Sequence, residues 1–245
     1  MQKYPIWHTT AERYVAYINI IGLKTFTDAA NHQELLNSMA ELRDMLADID
    51  RITTFLDQPA KENDRRSALV KTALLADTVL LVSRDMEDDA VGHFIGSAMR
   101  MQMYLLQNGI AVRGGMASGL FTFDPAALSF SGLPLSEAIA TSKTIEFFGI
   151  AERAADQSVN GVEQLRRIPE EHVPLQYPCY VPTSNGSVVM LVLNITLGAK
   201  EIEDIRYVHQ NLLHHPGKYI SPSFYKNTVT LFEKAYAFTY PGRSA

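Results

Sequence analysis

Residues 14–27, YVAYINIIGLKTFT, decide the fold class, because a compact hydrophobic run gives way here to a glycine turn. The run Tyr14–Ile21 has the length and the aromatic and β-branched content of a buried strand. Gly22 opens a turn that leads toward a helix predicted over Asn31–Phe55, where apolar residues recur three and four apart. This strand–turn–helix start indicates a domain that mixes strands and helices.

A second apolar stretch, LLADTVLLV at 74–82, contains one carboxylate. Ser67–Leu75 and Thr78–Ser83 predict an antiparallel pair of strands with Asp77 at the tip of the hairpin. A carboxylate inside an apolar run is costly to bury unless it is paired or bound to metal. A hairpin-tip Asp can equally cap its own turn, so both interpretations stay open for Asp77 taken alone.

The rest of the chain alternates hairpins with helices. The acidic run RDMEDD at 84–89 predicts a helix start, since carboxylates suit the positive end of the helix dipole, and that helix ends at Gly109. Further predicted elements are a strand over Ile110–Ser118, a turn and short strand over Gly119–Phe130, a long helix over Leu133–Asp156, a connector over Asn160–Pro178, a hairpin of Cys179–Val181 with Val188–Ile195 about Ser184-Asn185-Gly186, and helices over Lys200–Leu213 and Ser223–Phe238.

The order β-α-β-β-α-β-(β)-α favours an α+β fold with helices packed on a mostly antiparallel sheet. A chain of 245 residues can bury a substantial core in one domain and leaves room for an extension. Residues 1–158 are expected to form the core, and 159–245 a C-terminal extension, a hairpin with helices, that packs on the same domain.

Composition limits the functions that are compatible with the chain. Its 245 residues carry a formal net charge of −5 and no block of lysines and arginines, which argues against a nucleic-acid partner. The single cysteine, Cys179, cannot form an intrachain disulfide, and this favours a reducing compartment. No apolar run approaches the ~20 residues that span a bilayer, and the N-terminal segment lacks a hydrophobic signal core. We therefore expect a cytoplasmic protein without a membrane partner.

The turn after the first strand has the chemistry of a phosphate site. Glycine at 22 lets the backbone approach a ligand, and the amides of Ile21, Gly22, Leu23 and Lys24 fall at a predicted helix N-terminus. Lys24 adds a positive charge. A plain strand-to-helix junction would look the same, so this signal is weak alone.

Two later segments add candidate polar contacts. Arg113 begins the run RGGMASG, and a buried strand arginine must pair with an acid or a phosphate. The glycines of this run allow a helix or a ligand to approach the backbone closely. Ser136 follows the Gly132-Leu-Pro134 helix entry and is a possible polar contact.

These segments, in this order, resemble the catalytic domain of the class III nucleotide cyclases, and most of all the pyrimidine cyclases of Pycsar anti-phage systems. The resemblance covers roughly residues 14–156. Its motifs are short, and their order and spacing carry the likeness. They are AYINIIGLK (16–24), LADTV (75–79), VRGGMASG (112–119) and GLPLSEA (132–138).

The resemblance implies a ferredoxin-like βαββαβ core in a homodimer with sites at the interface. It also implies two divalent cations, Mg²⁺ or Mn²⁺, held by the residues at Asn19, Ile20 and Asp77. The nucleotide would be UTP or CTP, with its triphosphate at the turn Ile21–Lys24. Residues near Arg113 and Ser136 would act on nucleotide held by the other subunit, and the base pocket would include the strand around Lys71.

The implied reaction is attack of the ribose 3′-hydroxyl on the α-phosphate to give the 3′,5′-cyclic monophosphate and pyrophosphate, as a signal of phage infection. One metal would lower the pKa of the hydroxyl, and both would offset developing charge. Asn19, Asp77 and Arg113 are then the candidate catalytic residues.

Two departures separate the chain from the family pattern. Asn19 stands where the family has an aspartate, so the amide offers an oxygen but no charge to a hard cation. This predicts weakened or absent activity. In addition, purine cyclases stabilise the transition state with an Asn and an Arg, and the corresponding positions lie near Ser136 and Ala140 here. That Asn and that Arg are therefore both absent, which favours the pyrimidine enzymes.

The alternative is a non-catalytic nucleotide-binding or regulatory dimer on the same fold. A third hypothesis is a scaffold domain without a nucleotide site.

Overall fold

Eight strands and three long helices follow one another in the computed structural model, which describes residues 7, 9–21, 40, 42–47, 69–124, 129–154, 176–194, 196, 207, 210 and 221–240. The elements are β1 (Thr10–Ile20), β2 (Val70–Leu75), β3 (Thr78–Ser83), α1 (Asp88–Gln107), β4 (Val112–Asp124), β5 (Ser129–Gly132), α2 (Leu133–Thr144), β6 (Gly149–Arg153), β7 (Gln176–Thr183), β8 (Gly186–Leu193) and α3 (Pro222–Thr239).

All eight strands belong to one sheet. Its order is β2-β3-β1-β4-β6-β8-β7, with β5 paired to β4 as a branch. Every pairing is antiparallel except that of β4 with β6, which is parallel. The described part of the chain is therefore a mixed α+β fold on a mostly antiparallel sheet, as the sequence predicts.

The two faces of the sheet are buried against different helices. On one face, Ile18 and Ile20 of β1 pack with Phe94 of α1 in the largest core cluster, which also takes in aromatic side chains of α3. On the other face, α2 lies over β4 and β1. Because side chains alternate along a strand, the residues of β1 between the isoleucines point away from α1.

The approach of α2 to the sheet depends on a glycine. A Cβ added at Gly115 of β4 would collide with the backbone carbonyl of Ala138 and would lie 2.8 Å from Cβ of Thr141, both on α2. The absence of a side chain at this position lets the helix backbone rest directly on the strand. The side chain of Ser142 then reaches the carbonyl of Arg113 at 3.1 Å.

Several predicted elements are confirmed with small changes in their ends. The hairpin with Asp77 at its tip is present, with Ala76 at a φ of 55° in the turn. The acidic helix start is α1, with Asp88 and Asp89 in its first turn. The Asn-Gly hairpin is β7–β8, although β7 begins earlier than predicted. The predicted last helix is α3.

The long helix predicted over Leu133–Asp156 is wrong. It ends at Thr144, and Gly149–Arg153 is a strand, β6. Phe147 and Phe148 are both fully buried, in two different core clusters. Consecutive aromatic residues can reach opposite faces of a sheet, whereas a helix has one buried stripe, so packing selects the extended chain.

The prediction of a turn and short strand over Gly119–Phe130 is only partly right. The short strand is β5, but β4 continues through Gly119 to Asp124. The predicted helix Asn31–Phe55 is helical at residues 42–47, and the rest of it lies largely outside the described residues. The same holds for Lys200–Leu213, of which residues 207 and 210 are described and helical. Within the described residues, no helix is long and apolar enough to cross a membrane.

Gly115→Ala should destabilise the fold by about 1–3 kcal/mol, because the methyl group forces α2 off the sheet. Gly96→Ala is the matched control, since an added Cβ at this α1 position meets nothing within 4 Å. That variant should be more stable by about 0.5–1 kcal/mol, from the higher helix propensity of alanine. Urea unfolding of both variants measures the difference, and equal effects of the two substitutions would contradict the close approach of α2.

Candidate functional site

Asn19 and Asp77 are neighbours across two hydrogen-bonded strands. Asn19 of β1 lies opposite Thr78 of β3, and the Ile20 amide donates to the carbonyl of Asp77 at 2.8 Å. Burial of Ile18 and Ile20 in the α1-facing core turns Asn19 to the opposite face. The structure thus brings the amide at 19 and the carboxylate at 77 to the same end of the sheet.

Arg113 faces the same position from the other side of β1. It is the register partner of Asn19 on β4. Burial lowers the pKa of its guanidinium, and the nearby hydroxyl of Tyr17 partly offsets this. Its Nε atom is buried and has no hydrogen-bond partner among the described residues, while its Cζ lies 6.0 Å from the centre of the Phe224 ring. A buried guanidinium N–H without a partner is a donor available to an anion.

Two residues that the sequence analysis did not single out belong to this group. Thr78 Oγ1 lies 3.4 Å from both the Tyr17 hydroxyl and Asp77 Oδ1. Tyr17 could have been found by strand alternation alone, because it precedes Asn19 by two residues and therefore shares its face. Thr78 follows Asp77 directly and begins β3.

Ile21 is the one described residue of the predicted phosphate turn. Its amide already donates to the carbonyl of Ala111 at 2.8 Å. A phosphate contact at this amide would therefore have to replace that bond. Gly22, Leu23 and Lys24 lie outside the described residues.

Lys71 and Ser136 are not brought to Asn19 within one chain. Lys71 of β2 lies opposite Val82 of β3, and Val82 lies opposite Val15 of β1. Val15 is four residues from Asn19, which is about 13 Å along the strand at 3.3 Å per residue. The Nζ atom of Lys71 lies 5.3 Å from the centre of the Trp7 ring. Ser136 is exposed near the start of α2, whereas the end of that helix, at Ser142, contacts Arg113.

The donor set does not fit two divalent cations by itself. Asn19 and the Ile20 carbonyl are neutral oxygen donors, so Asp77 supplies the only negative charge of the three predicted ligands. Among the described residues there is no cluster of three His, Cys, Asp or Glu side chains that could hold a metal ion. Mg²⁺ and similar hard cations depend on carboxylates. The three predicted ligands include one carboxylate, because Asn19 stands where the resembling family has an aspartate.

A second polar group lies on the other face of the sheet. Glu152 of β6 accepts a hydrogen bond from Gln176 Nε2 at 3.1 Å and another from the Tyr14 hydroxyl. Burial raises the pKa of Glu152, and these two hydrogen bonds partly oppose the rise. Burial, together with the charge of Glu152, raises the pKa of Tyr14 to about 12. The sequence analysis missed Glu152 because it assigned this segment to a helix.

Comparison with known proteins adds a likeness in structure. No protein-family model matches the sequence, and no curated protein matches it. Among solved structures, the chain is similar to a bacterial light-regulated adenylyl cyclase, with 8% identity and a TM-score of 0.47 over 84% of this chain. The matched part is 56% of that protein, so the chain spans little more than half of its length.

Glu152→Gln should gain stability relative to the unsubstituted protein as the pH rises. A raised folded-state pKa means that the folded protein binds more protons at Glu152 than the unfolded chain does. The resulting stability is present below the unfolded pKa, near 4.5, and is lost as pH rises through the folded pKa. Urea unfolding at a series of pH values measures the free energy of unfolding of both proteins. The difference between them should change from about pH 4.5 up to the folded-state pKa of Glu152 and stay constant above it.

Gln176→Leu provides the second arm of this experiment. It removes a hydrogen bond that lowers the pKa of Glu152, so the loss of stability should extend to higher pH than in the unsubstituted protein. A difference between the protein and Glu152→Gln that does not vary with pH would contradict the raised pKa.

Proposed function

We propose that this chain is a class III pyrimidine nucleotide cyclase with a ferredoxin-like core, whose turnover is weakened by Asn19. It converts UTP or CTP to the 3′,5′-cyclic monophosphate and pyrophosphate. The observation that carries the proposal is the adjacency of Asn19 and Asp77, with Arg113 as the register partner of Asn19. Asn19 and Asp77, two of the proposed metal ligands, thus lie together at one end of the sheet. Arg113, which the resemblance would have act on nucleotide held by the other subunit, lies beside them within one chain.

In the proposed reaction the 3′-oxygen of the ribose forms a bond to the α-phosphorus. The bond from that phosphorus to the bridging oxygen breaks, pyrophosphate leaves with the electron pair, and the hydroxyl proton passes to water. Arg113 is the residue with a buried donor for a phosphate oxygen. Such a donor stabilises charge that develops on phosphate in the transition state, because it is fixed in place before the reaction.

Divalent cations would neutralise the triphosphate, and the nucleotide would have to supply most of their negative ligands. Asp77 can contribute one charged oxygen, and Asn19 one neutral oxygen. We therefore expect cation binding that is weak without nucleotide, and slow turnover.

A homodimer is part of the proposal. Lys71 and Ser136 lie away from Asn19 within one chain, and in the proposed dimer a second copy supplies them to the nucleotide. The small residues Ser136 and Ala140 on α2 support a pyrimidine, since purine cyclases would carry an asparagine and an arginine there. A cytoplasmic enzyme that signals phage infection through its cyclic product is the role that this resemblance favours.

The alternative is a regulatory dimer that binds nucleotide without turning it over. Asn19 is the observation that favours it, because the substitution removes charge from the metal site and leaves Asp77 and Arg113 in place to hold phosphate and cation.

Asn19→Asp should raise the rate of cyclic product formation from UTP or CTP with Mn²⁺ by about tenfold or more, because it supplies the second carboxylate that a hard cation requires. The product is measured by chromatography and mass spectrometry with UTP, CTP, ATP and GTP in parallel. The double variant Asn19→Asp/Asp77→Asn is the control and should be inactive.

The outcomes of this experiment separate the hypotheses. If Asn19→Asp makes no cyclic product from any of the four nucleotides, the cyclase proposal is wrong. Binding without turnover in that variant would support the regulatory dimer. The absence of any thermal shift with nucleotide and Mn²⁺ would support a scaffold domain instead.

Arg113→Met should weaken the binding of UTP with Mn²⁺ by about tenfold or more, since a hydrogen bond to a charged group contributes about 1.5–3 kcal/mol. The urea midpoint should stay the same or rise, because methionine removes a partly buried charge. Arg153→Met removes an exposed arginine of β6 and is the matched control for calorimetric titration. Equal affinity for UTP in the two variants would show that Arg113 does not contact the nucleotide.

A further inference from the structure

An aromatic side chain of the C-terminal helix lies beside the guanidinium of Arg113. The centre of the Phe224 ring, in the first turn of α3, is 6.0 Å from Arg113 Cζ. A guanidinium at up to about 6 Å from a ring centre is attracted to the negative face of the ring. Both side chains are partly buried, so solvent screens this attraction less than on an open surface. The C-terminal part of the chain thus reaches the residue that we assign to a phosphate.

The first turns of α3 are tied to the short segment between α2 and β6. Thr228 Oγ1 accepts a hydrogen bond from the Phe148 amide at 2.8 Å and donates one to the carbonyl of Phe224 at 2.7 Å. Asn227 Nδ2 donates to the carbonyl of Glu146 at 2.8 Å. The ring of Phe224 also packs on that of Phe148, with centres 5.7 Å apart. Phe148 is fully buried, so these contacts give the Phe224 ring a defined place.

The backbone of Arg113 is held by residues on either side of the same segment. Arg113 is the register partner of Gly149, the first residue of β6. Its carbonyl accepts a hydrogen bond from Ser142 Oγ of α2 at 3.1 Å. The strand that carries the guanidinium and the helix that carries the ring are therefore fixed to one common part of the chain. Their contact follows from the packing of α2, β6 and α3.

The ring stands where a buried arginine would usually have an acidic partner. Within the described part of the chain, no Asp or Glu side chain forms an ion pair with Arg113. A carboxylate would neutralise the guanidinium and would compete with a phosphate for its N–H groups. A ring attracts the cation without accepting its in-plane hydrogen bonds. Phe224 therefore leaves the charge of Arg113 and its buried Nε donor available to an anion.

We propose that Phe224 is a positioning residue of the nucleotide site, whose ring holds the guanidinium of Arg113 in place for a phosphate of the nucleotide. This role rests on the proposed function, because it takes the anion at Arg113 to be a nucleotide phosphate. Phe224 acts through Arg113 and is not itself a catalytic residue. The C-terminal helix α3 is then part of the site, and not only a support for the outer strands of the sheet.

Phe224→Leu should weaken the binding of UTP or CTP with Mn²⁺ by about threefold or more, because leucine is apolar but has no ring to attract the cation. Phe224→Tyr keeps the ring and should bind nucleotide as the unsubstituted protein does. Phe238→Leu is the matched control, since Phe238 is a partly buried residue of the same helix whose ring packs on Tyr177 at 5.1 Å. It should leave nucleotide affinity unchanged. Calorimetric titration measures the affinities, and urea unfolding establishes that each variant is folded.

A double-mutant cycle separates positioning of Arg113 from a purely structural role of the ring. When Arg113→Met is already present, Phe224→Leu should have no further effect on nucleotide affinity, because the guanidinium that the ring holds is gone. A ring that only fills space would weaken binding equally with and without Arg113. Unchanged affinity in a folded Phe224→Leu, or equal weakening in the two backgrounds, would overturn the proposal.

The cycle measures binding to the protein that carries Asn19, and it involves no turnover, so it can fail independently of the cyclase proposal. If Asn19→Asp makes no cyclic product but Phe224 and Arg113 are coupled in nucleotide binding, the cyclase proposal is wrong and the positioning role stands. If product forms and the two residues are not coupled, the positioning role alone is wrong. If neither UTP nor CTP binds the unsubstituted protein, the positioning role is wrong whatever Asn19→Asp does.

Discussion

The register of β1 against β3 and β4 is the constraint on which the candidate site depends. A slip of one residue would turn Ile18 and Ile20 out of the core and point Asn19 into it. Burying each isoleucine contributes about 1.5–3 kcal/mol, so such a slip is strongly disfavoured. The amide of Ile20 donating to Asp77 fixes the same register at the end of the strand. Packing on one face thereby determines the chemistry on the other.

The close contact of α2 with Gly115 shapes the second half of the molecule. The helix rests on β4 and β1, and it stops at Thr144, before the chain enters β6. The outer strands β7 and β8 pack instead with Leu231 and Ala235 of α3. Between α2 and the β7–β8 hairpin, the sheet forks where the parallel pairing of β4 with β6 ends at Met116 and Glu152.

Local signals in the sequence predicted the central strands, and non-local packing decided what they could not. The hairpin at Asp77 was predictable because its turn and both strands are contiguous. By contrast, β6 pairs with a strand more than thirty residues earlier, and the run Phe147-Phe148 looks apolar whether it is helical or extended. The distance between Lys71 and Asn19 could not be predicted for the same reason. It depends on the register of β2 in the sheet, which the sequence positions alone do not give.

Asn19 has a physical consequence apart from the metal site that we propose. Asparagine and aspartate have nearly the same shape, and β1 is paired through its backbone, so the fold does not require the amide. An aspartate at position 19 would stand beside Asp77, and two carboxylates in one site oppose each other's ionisation unless a cation lies between them. The asparagine removes that repulsion. This end of the sheet can therefore form at neutral pH without a bound cation. In the proposed metal site, the same absence of a second carboxylate would weaken the binding of a cation.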